Sequence, residues 1–199
     1  MPTRFINELN YDKQPYDSFD KNPAKIGYIN DLADIVTIGG SFYASGTKTT
    51  AAINTAYNAD FTNTVYAEGV SVVASPASLT GAIQVATAGT YSFDYTLQLF
   101  KNNTTTEGSL TAWIAVKAKN DATSIVFADR VDYSANTMSM AISNQISIIT
   151  LHSHLVLNAG DKVCLMYAAN STDMQIRATA AATPYPAIAS ITLEVDRIR

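Results

Sequence analysis

The sequence predicts an all-β fold, an antiparallel β-sandwich preceded by a short N-terminal arm that carries a helix pattern. Three observations predict it. Tyr91, Phe93, Tyr95, Leu97 and Leu99 alternate with Ser92, Asp94, Thr96 and Gln98 directly after Gly89, and a period of two along one strand means a sheet covered on one side. Other apolar segments of similar character recur along the chain, separated by Gly, Asn, Asp and Pro. Beyond Gly40 no segment of helical period has room to form.

The first 36 residues differ from the rest. They hold ten of the thirty charged residues, together with Pro2, Pro15 and Pro23. As far as Lys21, charge mixes with Phe5, Tyr11, Tyr16 and Phe19 without any period, the composition of an extended segment that orders against a partner. These four aromatics are the anchor candidates, and a plain floppy terminus is the alternative. From Asn22 the pattern turns helical. Asn22 caps, Pro23 suits the first helical position, and Ile26, Ile29, Ala33 and Val36 form a 3-4-3 stripe ending at Gly39-Gly40. Three copies packed on that stripe would make a short stalk, whereas a single amphipathic helix would lie on its own domain. Two heptads are too few to hold a coil alone, and Gly27 weakens it. The arm is therefore assigned to residues 1–39 and the head to 40–199.

Within the head, strands are expected over 41–44, 63–67, 70–74, 82–86, 90–100, 109–119, 123–129, 146–157, 162–168, 173–179 and 187–198. The segments 101–108 and 180–186 read as loops. Asp161, after Asn158-Ala159-Gly160, reads as a turn carboxylate that accepts local backbone donors.

Composition bounds the function. A chain of 199 residues buries roughly 70% of its unfolded surface as a single domain, so no disulfide or metal staple is required. The net charge is −4 with 15% charged residues, which lacks the basic footprint that neutralises nucleic-acid phosphates. The single cysteine, Cys164, lies in an apolar run and reads as a buried structural thiol. No stretch approaches the ~20 apolar residues of a membrane span, and the first residues lack a signal-peptide core, so synthesis in a cytoplasm is expected. Asn102, Asn103 and Asn170 fit the N-glycosylation pattern, an accidental match if the chain is not secreted.

Several stretches, read in order, carry a resemblance. They are Thr55-Ala56-Tyr57 with Asn63-Thr64 and Gly69-Val70-Ser71-Val72; Ala88-Gly89-Thr90-Tyr91-Ser92-Phe93 through Gln98-Leu99; Trp113-Ile114; Leu157-Asn158-Ala159-Gly160-Asp161-Lys162-Val163; and Pro186-Ala187-Ile188-Ala189-Ser190-Ile191-Thr192-Leu193. This arrangement, over about residues 50–198, resembles the jelly-roll heads of the tumour necrosis factor and complement globular-head superfamily, in particular the versions found in bacteriophage and marine viral proteins. The resemblance implies a ten-stranded jelly roll and a trimer. It also implies a virion role as decoration protein, head fibre, spike or receptor-binding tip. Further, it implies that the sheet bearing Ser92, Asp94, Thr96 and Gln98 faces the threefold axis across a partly hydrated seam, with free solvent as the competing reading.

His152-Ser153-His154 is the arrangement that points to a metal, because both imidazoles project from one face of a strand, as in cupins. Cupins add a further His and usually a Glu; this chain has two histidines in all, and Asp161 could at most complete a two-His, one-carboxylate set across a turn. Three copies of the pair at an axis could hold an ion structurally, but solvent-facing or seam-facing histidines are the ordinary reading. No nucleophile elbow, phosphate-cradling glycine loop or segregated carboxylate pair is present. No cofactor, no metal and no enzymatic activity are expected.

The expectation is a homotrimeric structural virion protein, made in a host cytoplasm, whose arm attaches the head to other capsid or virion proteins. One alternative is a head that binds a host surface glycan or receptor through loop residues Asn102, Asn103, Asn170 and Asp173 with Tyr185. Another is a single jelly-roll shell subunit, although the missing basic arm argues against a shell that packages nucleic acid unaided.

Overall fold

Alternation along one long strand builds the centre of the molecule. The structure, a computed structural model, describes residues 38–102, 107–131, 133–141 and 144–198. The arm aromatics Phe5, Tyr11, Tyr16 and Phe19, the stripe Ile26, Ile29, Ala33 and Val36, and the loop residue Asn103 lie outside the described residues. In chain order the strands are β1 (Gly39–Ala44), β2 (Lys48–Thr49), β3 (Tyr57–Asn58), β4 (Asn63–Glu68), β5 (Val70–Val72), β6 (Ile83–Val85), β7 (Gly89–Lys101), β8 (Gly108–Lys117), β9 (Asn136–Met140), β10 (Ile146–Leu157), β11 (Lys162–Ala169), β12 (Met174–Ile176) and β13 (Ile191–Arg197).

They form two antiparallel sheets packed as a sandwich. The seven-stranded sheet runs β2-β12-β7-β13-β1-β4, with β10 on the other edge of β7; the six-stranded sheet runs β5-β6-β11-β8-β9, with β3 beside β11. Tyr91, Phe93, Tyr95, Leu97 and Leu99 point inward, and so do Leu110, Ala112, Ile114, Val163, Leu165 and Tyr167 from the facing sheet; all are fully buried or nearly so. Ile191, Leu193 and Val195 of β13 join the same core. Each large apolar side chain so buried contributes about 1.5–3 kcal/mol, so period-two alternation on β7 and β13 is enough to fix which face of the sheet turns inward.

The outer face of the six-stranded sheet is covered by the chain itself. Val73, Leu79, Ala82, Trp113, Ala115, Ile125, Cys164 and Met166 make a second cluster there, beneath the connections that follow β5 and β8. This is why Lys162–Ala169 is apolar almost throughout: it is buried on both faces.

Five segments differ from the sequence expectation. Residues 123–129 form no strand; a short 3-10 turn spans Phe127–Asp129. Ile125 drops onto the second cluster, and Asp129 accepts from the Val126 N–H at 2.7 Å and pairs with Lys117 at 2.9 Å. Local side-chain bonds thereby satisfy the backbone that a ladder would have taken. Residues 173–179 and 187–198 shorten to β12 and β13. Strand β9, over residues to which the sequence assigned no element, is ordered by pairing with β8, which buries Met140. At the start, Gly39 and Gly40 are not the end of the arm but the first residues of β1. A Cβ on Gly40 would stand 2.7 Å from the Phe42 ring and 2.8 Å from Val70, so close packing requires glycine there.

Asp161 behaves as its turn chemistry predicts. Its carboxylate accepts from the Asn158 N–H at 2.8 Å and the Lys119 N–H at 3.2 Å, next to Gly160 at φ +91°.

Candidate functional site

The two sheets differ in what covers them, and the difference defines the candidate site. Among the described residues nothing masks the centre of the outer face of the seven-stranded sheet. Strand register aligns its outward side chains in three rows across five strands. The first row runs Glu68, Gly39, Asp196, Ser92 and His154; the second runs Tyr66, Ser41, Glu194, Asp94 and His152; the third runs Asn63, Tyr43, Thr192, Thr96 and Thr150.

The polar residues of β7 do not share one environment. Asp94 is exposed and Thr96 half-buried, while Ser92 and Gln98 are each 8% exposed. Gln98 is covered by the segment after β12: its side-chain amide donates to the Arg177 carbonyl at 2.8 Å and the Thr179 hydroxyl at 2.9 Å, and the Arg177 guanidinium lies 3.9 Å over the Phe100 ring. Ser92 donates to Asp94 at 3.2 Å. Only the middle of the strand thus reaches open solvent.

The rows are acidic. Glu68, Asp196, Glu194 and Asp94 supply four carboxylates, and none of the row residues is Lys or Arg. Ser41 donates to Glu194 at 2.6 Å. Partial desolvation, followed by the charges of Asp196 and Glu194, raises the Tyr66 hydroxyl above its ordinary pKa. His152 and His154 are the basic groups that these rows contain. Nδ1 of His152 bonds Asp94, and the two Nε2 atoms stand 3.1 Å apart, with the rings edge to face.

The flanks of this face are apolar. On β10, Ile146, Ile148 and Val156 are 53%, 60% and 84% exposed. On β4, at the opposite edge, Tyr66 is exposed and a bulge opposite Ser41 and Phe42 turns Val65 outward as well. An acidic, hydrated centre between two greasy edges suits contact with another macromolecule.

The loop candidates separate into two places. Asn102 and Asp173 are joined by a 2.9 Å backbone hydrogen bond; Asn170 lies nearby in sequence, but its side-chain oxygen is taken by the Ser109 N–H at 2.7 Å. Tyr185 stands exposed on a separate turn closed by the Thr179–Ile188 bridge. Sequence reasoning missed Glu68, Tyr66, Glu194 and Asp196. The alternation of Thr192, Glu194 and Asp196 with Ile191, Leu193 and Val195 marked those three as outward, but nothing local says that β13 lies between β1 and β7.

Among the described residues no cluster of three or more His, Cys, Asp or Glu side chains is arranged to hold a metal, and no helix is long and apolar enough to cross a membrane. No protein-family model matches the chain, and no curated protein matches it. Among solved structures, Eiger TNF from S. frugiperda is similar over 82% of this chain and 93% of its own, with a TM-score of 0.52 and 9% identity. A likeness at that identity speaks for the fold alone: the chain is an antiparallel β-sandwich with the TNF-like jelly roll.

Proposed function

We propose that this chain is a homotrimeric structural protein of a virion, a decoration, head-fibre or spike subunit whose jelly-roll head projects while its N-terminal arm, with Phe5, Tyr11, Tyr16 and Phe19, attaches to a neighbouring virion protein. The mechanism is association, with no bond chemistry.

The observation that carries the assembly reading is the open outer face of the seven-stranded sheet. Its apolar edges are different strands, β10 on one side and β4 on the other, so the surface is complementary to a rotated copy rather than to itself. Contacts of that head-to-tail kind form rings when the rotation between copies closes. The TNF-like fold supports a trimer as the ring, and the resemblance of the segments around Gly89 and Gly160 to viral heads supports the virion setting.

Light scattering on the full chain tests assembly, with a mass of three chains expected and a stable monomer overturning the proposal. Labelling of purified particles tests the setting: signal at repeated capsid positions supports decoration, and absence from particles refutes it. The second reading, recognition of a host glycan or receptor, is favoured by the exposed Asn102 and Tyr185. It predicts glycan-array binding by the trimer that is lost on substitution of those residues.

A further inference from the structure

His152 and His154 are spaced as two residues of one strand whose side chains leave on the same side. Their Nε2 atoms converge to 3.1 Å. Two imidazole nitrogens bound to one ion at 2.0–2.1 Å stand roughly 2.9 Å apart at a right angle and about 3.3 Å apart at the tetrahedral angle. The observed separation falls between the two. It is the bite of a chelate, formed without moving the strand.

The surroundings supply what such a chelate needs. Asp94, on the neighbouring strand, bonds Nδ1 of His152. A carboxylate there holds the proton on Nδ1, leaves the Nε2 lone pair free and fixes the ring, the arrangement that commonly supports metal-bound histidine. Glu194 flanks Asp94 in the same row, and Asp196 lies in the row of His154 two strands away, roughly 10 Å at the usual strand spacing. The local field therefore favours a cation. In the single chain the side chains of His152 and Asp94 are 57% and 50% exposed, so an ion reaches the pair there and keeps water in its remaining positions.

We propose that His152 and His154 form a bidentate site for a divalent transition-metal ion, with Asp94 as the residue that positions His152. Two imidazoles select the borderline ions, Cu2+ ahead of Ni2+ and Zn2+, over Mg2+ and Ca2+, which require oxygen ligands. The site lies within one chain and does not depend on the trimer.

The test is calorimetric titration of the full chain, free of any histidine tag, with Ni2+ at pH 7.5. One ion per chain is expected, with His152→Ala and His154→Ala each abolishing saturable binding. Asp94→Asn should weaken affinity roughly 10–100-fold, and Mg2+ should give no heat. Imidazole 15N spectra should show both Nε2 signals moving while the Nδ1–H of His152 persists. No saturable binding at pH 7.5, or binding that survives the double substitution, would each overturn the site. An unchanged affinity in Asp94→Asn would overturn the positioning role. Circular dichroism of each variant, unchanged from the parent, keeps a lost site distinct from a lost fold.

Discussion

At the residue scale, two side chains have consequences that can be measured. Tyr95 is fully buried, burial pushes its hydroxyl well above the ordinary pKa, and that hydroxyl has no hydrogen-bond partner among the described residues. A buried hydroxyl left unpaired costs about 1–3 kcal/mol, while the ring beneath it stacks on Phe93 with centroids 6.3 Å apart. Tyr95→Phe keeps the ring and removes the cost, so it should raise unfolding stability by about 1 kcal/mol in urea titration. Asp121 behaves in the opposite sense. Bonds from the Thr123 hydroxyl, then the Thr123 N–H and Lys117, hold its carboxyl at about 2, below the ordinary 3.8. A lowered folded-state pKa adds stability that is complete above 3.8 and is lost as pH falls toward 2. Asp121→Asn should flatten the stability profile across that window and leave its shape near neutrality unchanged.

At the element scale, β7 is the element on which the fold most depends, because β10, β13 and β12 all pair with it. Phe93→Ala would open a cavity between the sheets at the middle of that strand and should cost about 3–5 kcal/mol, read as a lower denaturant midpoint with an unchanged slope. The alternation on β7 and the continuous apolar run on β11 were legible in the sequence, since each reports directly how many faces of a strand are buried. The segment 123–129 was not. Ser124, Ile125 and Val126 have the composition of a strand, yet Asp121, Asp129 and Lys117 draw that segment into a loop whose Ile125 lids the outer cluster. Strand β9 carried no local signal of its own and is set by pairing with β8.

At the scale of the whole molecule, one sheet is covered and the other is open, and the proposed trimer rests on that contrast. The six-stranded sheet hides its outer apolar side chains beneath its own loops, whereas the seven-stranded sheet leaves Ile148 and Val156 in water. In the proposed trimer these residues leave water, so Ile148→Asp with Val156→Asp should convert a three-chain mass to a one-chain mass in light scattering while the far-ultraviolet dichroism of the folded head is retained. The same double substitution on a protein that is monomeric for other reasons would change no mass. The sequence by itself determined the two-layered all-β architecture and the inward or outward direction of most side chains, because a period of two is a local property that water reads at each residue. Only the tertiary structure decided which outward side chains meet. Asp94 reaches His152 across 58 positions and Ser41 reaches Glu194 across 153. Those meetings depend on strand order, which is set by how all the apolar faces close upon one another and leaves no mark on any single segment.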